Sequence, residues 1–228
     1  MLELFVDLLS QPCRAVRILL QCTGTVHTLR SVALRKGEHQ TPDFTKLNPM
    51  NKVPVLVDNG FILTESDAIL KYLVTRCELA DHWYPAEPQR RARVDEYMAW
   101  HHTNTRVHAA TVFILQVLIP AQTRSPVDAP ALDRALLDLD QTLDKLESMF
   151  LRRQAFLCGS DISVADLLCV CELMQPLGGD RDVLESRPQL QRWRSRVQTA
   201  VGPAFDQAHS VLYTVRDRYR ARTGQAKL

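Results

Sequence analysis

The stretch NPMNKVPVLVDNGFILTESDAILKYL, residues 48–73, decides how the rest of the chain reads. Val53-Pro54-Val55-Leu56-Val57 is a β-branched run opened by a proline, Asp58-Asn59-Gly60 is a turn signal, and Phe61-Ile62-Leu63 is suited to pair back as the second arm of a hairpin. Thr64 followed three residues later by Asp67 is close to a capping box, with the threonine oxygen taking an orphan backbone N–H and the acid facing the positive helix end. Ile69, Leu70, Tyr72 and Leu73 then supply a buried stripe for the helix that follows.

The chemistry sits where hairpin and helix start meet. Pro54 has no N–H for a ladder, so the backbone beside it is free to pair with something extended, and a cis Val53–Pro54 bond is accessible at about 0.5–1 kcal/mol. Across from that edge, the N–H groups of Ser66 and Asp67, with the Ser66 hydroxyl, form a receptor for a carboxylate. The ligand implied is a peptide carrying a free carboxylate.

Working outward, Leu2 to Leu9 reads as a central strand, ended by Ser10-Gln11-Pro12. Pro12 opens a helix with Ala15, Val16, Leu19 and Leu20 on its apolar face and Arg14, Arg17 and Gln21 on its polar one. Val26 to Leu34 is a second strand, followed by a polar connection and a short helix near Thr41-Pro42. The order is βαβαββα, a thioredoxin-like layered domain over residues 1–77. Residues 78–89, holding Pro85 and Pro88, read as a linker.

Residues 90–228 form an all-helical C-terminal domain. Arg90 to Gln116 reads as one long, bent helix, and Leu132, Leu136, Leu139, Leu143, Leu146 and Phe150 form an amphipathic core stripe. Ser163 and Asp166 make a second capping box, with Ile162 and Leu167 at the staple positions. Pro176 and Gly178-Gly179 stop that helix, and Pro188 and Pro203 open two more.

With 228 residues, 46% of them hydrophobic, the chain has material for a substantial core, and 28 basic against 26 acidic residues give a net charge of +2. That balance points away from nucleic acid and membrane surfaces. The excess is concentrated in Arg216, Arg218, Arg220, Arg222 and Lys227, read as a solvated helix end. Cysteines 13, 22, 77, 158, 169 and 171 show no C-x-x-C pair and no histidine at metal spacing, which predicts buried thiols and no metal. The start carries acids rather than a basic leader, and the longest apolar run, Val112 to Ile119, is far short of the ~20 residues of a span. A reducing, cytoplasmic setting is expected.

Ser10 lies between the first strand and a helix, where a side-chain oxygen and helix N–H groups converge. No base is near it in sequence, so it is a poor nucleophile. Its hydroxyl reads either as a plain N-cap or as a donor to a bound thiolate. A hydrogen bond to a charged group contributes about 1.5–3 kcal/mol, and at about 1.36 kcal/mol per unit such a donor lowers a thiol pKa by roughly one to two units. Cys13, three residues on, stands where a redox pair would have its second cysteine, but the first is missing; inward packing is expected.

The pattern N-x-x-x-K-V-P-x-L…L-T-E-S-x-A-I-x-x-Y-L, the segments Asp81-His82-Trp83-Tyr84-Pro85 and Leu34-Arg35-Lys36-Gly37-Glu38-His39, and Asp7-Leu8-Leu9-Ser10-Gln11-Pro12-Cys13-Arg14-Ala15-Val16 resemble the theta class of the glutathione S-transferases. The resemblance covers nearly the whole chain. It implies conjugation of glutathione thiolate to small electrophiles such as halides, epoxides and sulfate esters, with Ser10 activating the thiolate. Glu65 and Ser66 are implied to hold the γ-glutamyl end, the Val53 backbone the cysteinyl portion, and His39 with Lys52 the glycyl end. Arg106, in Trp100-His101-His102-Thr103-Asn104-Thr105-Arg106, resembles an arginine bordering the electrophile pocket. Glutathione is the implied co-substrate, with no bound cofactor, and a homodimer is implied.

Gln40 stands where some theta enzymes have a lysine, and Thr103 where some have an acid. The chain ends at Leu228, before the extra helix that roofs theta active sites, which predicts a more open site. Two other classes of function remain open at this level. One is a non-catalytic glutathione or ligand carrier. The other is a glutathione-dependent peroxidase or thiol transferase, against which Ser10 argues because that chemistry favours a cysteine there.

Overall fold

A computed structural model describes residues 1–225. The expected βαβαββα order is present as β1 (Leu2–Val6), α1 (Gln11–Cys22), β2 (Thr28–Ser31), α2 (Pro42–Leu47), β3 (Val55–Asp58), β4 (Phe61–Leu63) and α3 (Ser66–Arg76). The sheet runs β2-β1-β3-β4, with β2 parallel and β3 antiparallel to β1. The hairpin register pairs Leu56 with Leu63 and Asp58 with Phe61. Asn59 (φ 50°) and Gly60 (φ 90°) both have positive φ, as a tight turn between twisted strands requires.

Strand β2 is shorter than the expected Val26–Leu34. It lies on the sheet edge, where only one neighbour supplies ladder bonds. Val26 is 91% exposed, and the chain folds into a tight turn from Leu34.

The second half is helical: α4 (Pro88–His101), α5 (Thr105–Phe113), α6 (Ile119–Thr123), α7 (Ala129–Lys145), α8 (Val164–Leu173), α9 (Pro188–Val201) and α10 (Ala204–Gln225). The single helix expected over 90–116 is broken. Asn104 leaves helical geometry (φ −125°, ψ −90°), and its Nδ2 donates to the Trp100 carbonyl at 2.9 Å, so a side chain satisfies a carbonyl freed by the break. A π-helical turn, Ile114–Leu118, follows α5.

The leucine stripe continues from α7 through a second π-helical segment, Leu146–Leu151, with Leu139, Leu143, Leu146 and Phe150 buried. The Ser163–Asp166 capping box is formed, with Ile162 and Leu167 both buried. At the basic end of α10, Arg220 pairs with Asp180 and Arg216 with Asp217; Lys227 and Leu228 lie outside the described residues. No helix among the described residues is long and apolar enough to cross a membrane.

Helix α1 joins the two halves, packing on α3 from one side and on α8 and α10 from the other. That double cover overturns the polar-face assignment of Arg14, which is fully buried. Its guanidinium donates to the carbonyls of Leu8 (3.1 Å), Leu9 (3.0 Å) and Cys171 (2.8 Å) and to Gln175 Oε1 (2.6 Å). The loop before α1 is thereby tied to the end of α8.

Candidate active site

Ser10 is the N-cap residue of α1, but its side chain makes no capping hydrogen bond to the helix backbone and lies within reach of the Cys13 thiol instead. Asp7 shapes the loop that presents it. The Asp7 carboxylate accepts from the N–H groups of Leu9 (2.8 Å) and Leu34 (3.1 Å), and the Ser10 N–H donates to the Asp7 carbonyl (2.9 Å). Ser10 opens on a cleft of about 580 Å³ whose apolar wall is Ala110, Phe113, Ile114 and Leu118, from α5 and the π-helical turn. Phe113 sits against Gly178, where a Cβ would lie 2.5 Å from the ring. Glycine at 178 therefore lets the wall close up. Cys13 faces inward, as expected, and burial pushes its thiol up to about 12, so it stays protonated.

On the other side of the α1 start lies a smaller cavity of about 120 Å³, lined by Pro12, Asn48, Lys52, Val53, Pro54, Glu65, Ser66, His102 and Arg106. The Val53–Pro54 bond is cis, and the ladder begins only at Val55, which leaves the Val53 backbone outside it. Asn48 is buried and braces the turn, donating to the Lys52 carbonyl (2.8 Å) and accepting from the Met50 N–H (3.0 Å).

The Thr64–Asp67 capping box is absent. Glu65 is the N-cap residue instead, at φ 64°, ψ 117°, a region disfavoured for any residue with a side chain. This geometry brings Glu65 and the buried Ser66 to the cavity together. It also frees the Asp67 carboxylate, which accepts from His102 Nε2 at 3.0 Å rather than capping α3.

Arg106 reaches this cavity from α5, so it stands with Glu65 and Ser66 rather than in the cleft beside Ser10. Behind it, 3.7 Å away, is Glu172, fully buried on α8. Burial pushes the Glu172 carboxyl up to about 7, against the pull of the Arg106 and Arg14 charges. His39 lines neither cavity; it is half-buried in a tight turn at Glu38–Gln40.

Five of the expected residues, Lys52, Val53, Glu65, Ser66 and Arg106, are thus brought together, with Ser10 in the adjoining cleft. Asp7 and Asn48 as braces, His102 on the cavity wall and Gln175 beside Ser10 were not anticipated. Asp7 and Asn48 fall inside the motifs quoted above and were findable there. His102 and Gln175 arrive from the helical half and carry no local signal. Chemically, the small cavity offers a carboxylate, a hydroxyl and helix N–H groups to the charged end of a peptide. The larger cleft offers the Ser10 hydroxyl, which also reaches the buried Cys13 thiol, opposite an apolar wall.

Two family models match the chain, "Glutathione S-transferase, N-terminal domain" over residues 6–75 and "Glutathione S-transferase, C-terminal domain" over residues 77–199. Glutathione S-transferase theta-1 from Bos taurus and from Homo sapiens are each 46% identical over 217 residues, covering 95% of this chain and 90% of theirs. Among solved structures, apo human glutathione S-transferase T1-1 superposes with a TM-score of 0.91 at 46% identity, covering 95% of this chain and 91% of that one. Human glutathione transferase theta-2, in complex with glutathione and an unknown ligand, gives 0.92 at 40% identity, covering 98% and 92%. A human theta-class enzyme holding the glutathione conjugate of 1-menaphthyl sulfate gives 0.91 at 41% identity, covering 97% and 91%. With both halves matched and this identity sustained along the chain, the protein belongs to the glutathione S-transferase family, in its theta class.

Proposed function

We propose that this chain binds glutathione across the two cavities flanking the start of α1 and adds its thiolate to small electrophiles, displacing halide or sulfate or opening an epoxide. Glu65 and Ser66 receive the γ-glutamyl end, the Val53 backbone pairs with the cysteinyl portion, and Lys52 with His39 serves the glycyl carboxylate. Ser10 donates to the thiolate, and the electrophile rests on the apolar wall of the larger cleft. Arg106 adds positive charge beside Glu65 and Ser66. The working unit is a cytoplasmic homodimer, each chain divided into a glutathione domain (1–77), a linker (78–89) and a helical domain (90–228).

The observation that carries this reading is the Ser10 hydroxyl, unspent on capping and facing an apolar cleft beside the cavity that gathers Glu65, Ser66 and Val53. The glutathione in human theta-2 and the sulfate-derived conjugate in its relative support the ligand and one electrophile class.

The test is ultraviolet thiolate absorbance of bound glutathione titrated with pH, in wild type and Ser10→Ala, with affinity measured alongside. The expected result is a depressed thiol pKa in wild type and a rise of roughly one to two units in Ser10→Ala, which retains binding. An unshifted pKa in both would mark the protein as a glutathione carrier.

A further inference from the structure

We propose that Asp67, His101 and His102 form a binding site for one divalent transition-metal cation of the zinc class, at the seam between the first turn of α3 and the end of α4. One oxygen of Asp67 and one ring nitrogen from each histidine lie within 4.8 Å of one another. Two features point to an absent ligand rather than a self-contained hydrogen-bond cluster. His101 is fully buried, with Nδ1 against the Met98 carbonyl at 2.9 Å and Nε2 without a partner. Asp67 Oδ1 is likewise buried without a partner.

Buried polar atoms are rarely left unpaired. The His101 arrangement is the one metal-binding histidines use: a backbone carbonyl takes the Nδ1 proton, fixing the tautomer that leaves the Nε2 lone pair free to bind a metal.

The donor set selects the ion. Two imidazole nitrogens and one carboxylate oxygen suit zinc, copper, nickel or cobalt, whereas calcium and magnesium prefer oxygen alone. At metal–ligand bonds of about 2.0–2.1 Å, tetrahedral edges are roughly 3.3 Å. The Asp67–His102 pair, at 3.0 Å, is already near that separation. The remaining closure needs rotation of Asp67 and His102, neither of which is fully buried.

Neighbouring charge is mixed. Arg106 opposes a cation, but it is already drawn to Glu172, whose two buried oxygens lack hydrogen-bond partners. Three protein ligands leave a position open for water. Because His102 also lines the small cavity, the ion would sit at its wall and clamp the turn carrying Ser66 to the helical half.

The test uses the full-length, reduced protein stripped with chelator. Zinc binding is measured by titration calorimetry, cobalt substitution by visible absorption, and the thermal midpoint with and without zinc. The expected result is one tight equivalent, a cobalt spectrum without thiolate charge transfer, and a midpoint raised by zinc. His102→Gln and Asp67→Asn should each weaken binding at least tenfold and abolish the zinc-dependent rise, with an unchanged circular dichroism spectrum. His27→Gln, far along the chain from the trio, should change nothing. Affinity unaltered in both site variants, a thiolate band, or no retained ion in wild type would overturn the proposal.

Discussion

Replacing Arg14 with methionine tests how the loop bearing Ser10 is held. The buried guanidinium makes four hydrogen bonds, between 2.6 and 3.1 Å, to three carbonyls and the Gln175 side chain. Methionine fills much of the volume but donates nothing. The Leu9 carbonyl keeps a second donor, Gln175 Nε2 at 3.2 Å, whereas Leu8, Cys171 and Gln175 Oε1 lose theirs.

Each orphaned acceptor costs about 1–3 kcal/mol, offset in part because burial already disfavours the Arg14 charge and lowers its pKa. The net expectation is a loss of about 3–5 kcal/mol, which for a chain of this size lowers the thermal midpoint by roughly 6–20 °C. Urea denaturation followed by circular dichroism measures it. Arg17→Met on the same helix is the reference: that side chain is only part-buried, contacts His27, and should shift stability by under about 1 kcal/mol. If Arg14→Met unfolded within about 1 kcal/mol of wild type, the argument that this guanidinium ties the halves together would be refuted.

Burial lowers the His209 pKa to about 3, so the folded state resists its protonation while the unfolded chain accepts a proton near the ordinary value. Stability should therefore fall by up to about 4–5 kcal/mol as pH drops from 6.5 towards 3, and His209→Phe should flatten that acid limb in urea midpoints taken across the range. Glu172 has the opposite sign: its folded pKa, raised to about 7, means the unfolded chain releases the proton first, so stability declines as pH rises from 4.5 to 7. Glu172→Gln should remove a slope amounting to about 3 kcal/mol, read from the same titration. Asp166 accepts from the N–H groups of Leu157 and Ser163, the Ser163 hydroxyl and Trp193 Nε1. Asp166→Ala should cost about 3–5 kcal/mol and alter Trp193 fluorescence, and an unchanged emission spectrum would count against the assignment.

Local signals proved readable wherever the cause is local. Asn59-Gly60 fixes its turn because those two positions need positive φ, and Ser163 with Asp166 closes its capping box within one turn. The motif around Ser10 and the residues 52–66 likewise supply six of the nine residues lining the small cavity, whereas the larger cleft is walled chiefly by the helical half. Misreadings arose where distant packing decides. Thr64 and Asp67 have capping-box spacing, yet Glu65 takes the cap at positive φ, and Asp67 turns to a histidine 35 residues away. Arg14 belongs to the polar face of an isolated helix, but α8 and α10 cover that face. Gly178 read only as a helix stop, since its neighbour Phe113 is 65 residues away in sequence.

The position of α1 bears on how the molecule divides. Its sheet-side and helix-side residues are buried alike, from Pro12 through Leu20 apart from Arg17. A fragment cut near residue 77 would uncover Arg14 and the apolar surface that α8 and α10 now shield. The N-terminal half is therefore not a cassette that can be grafted onto another helical partner: its central helix is fitted to this one, and any chimera must bring α8 and α10 with it.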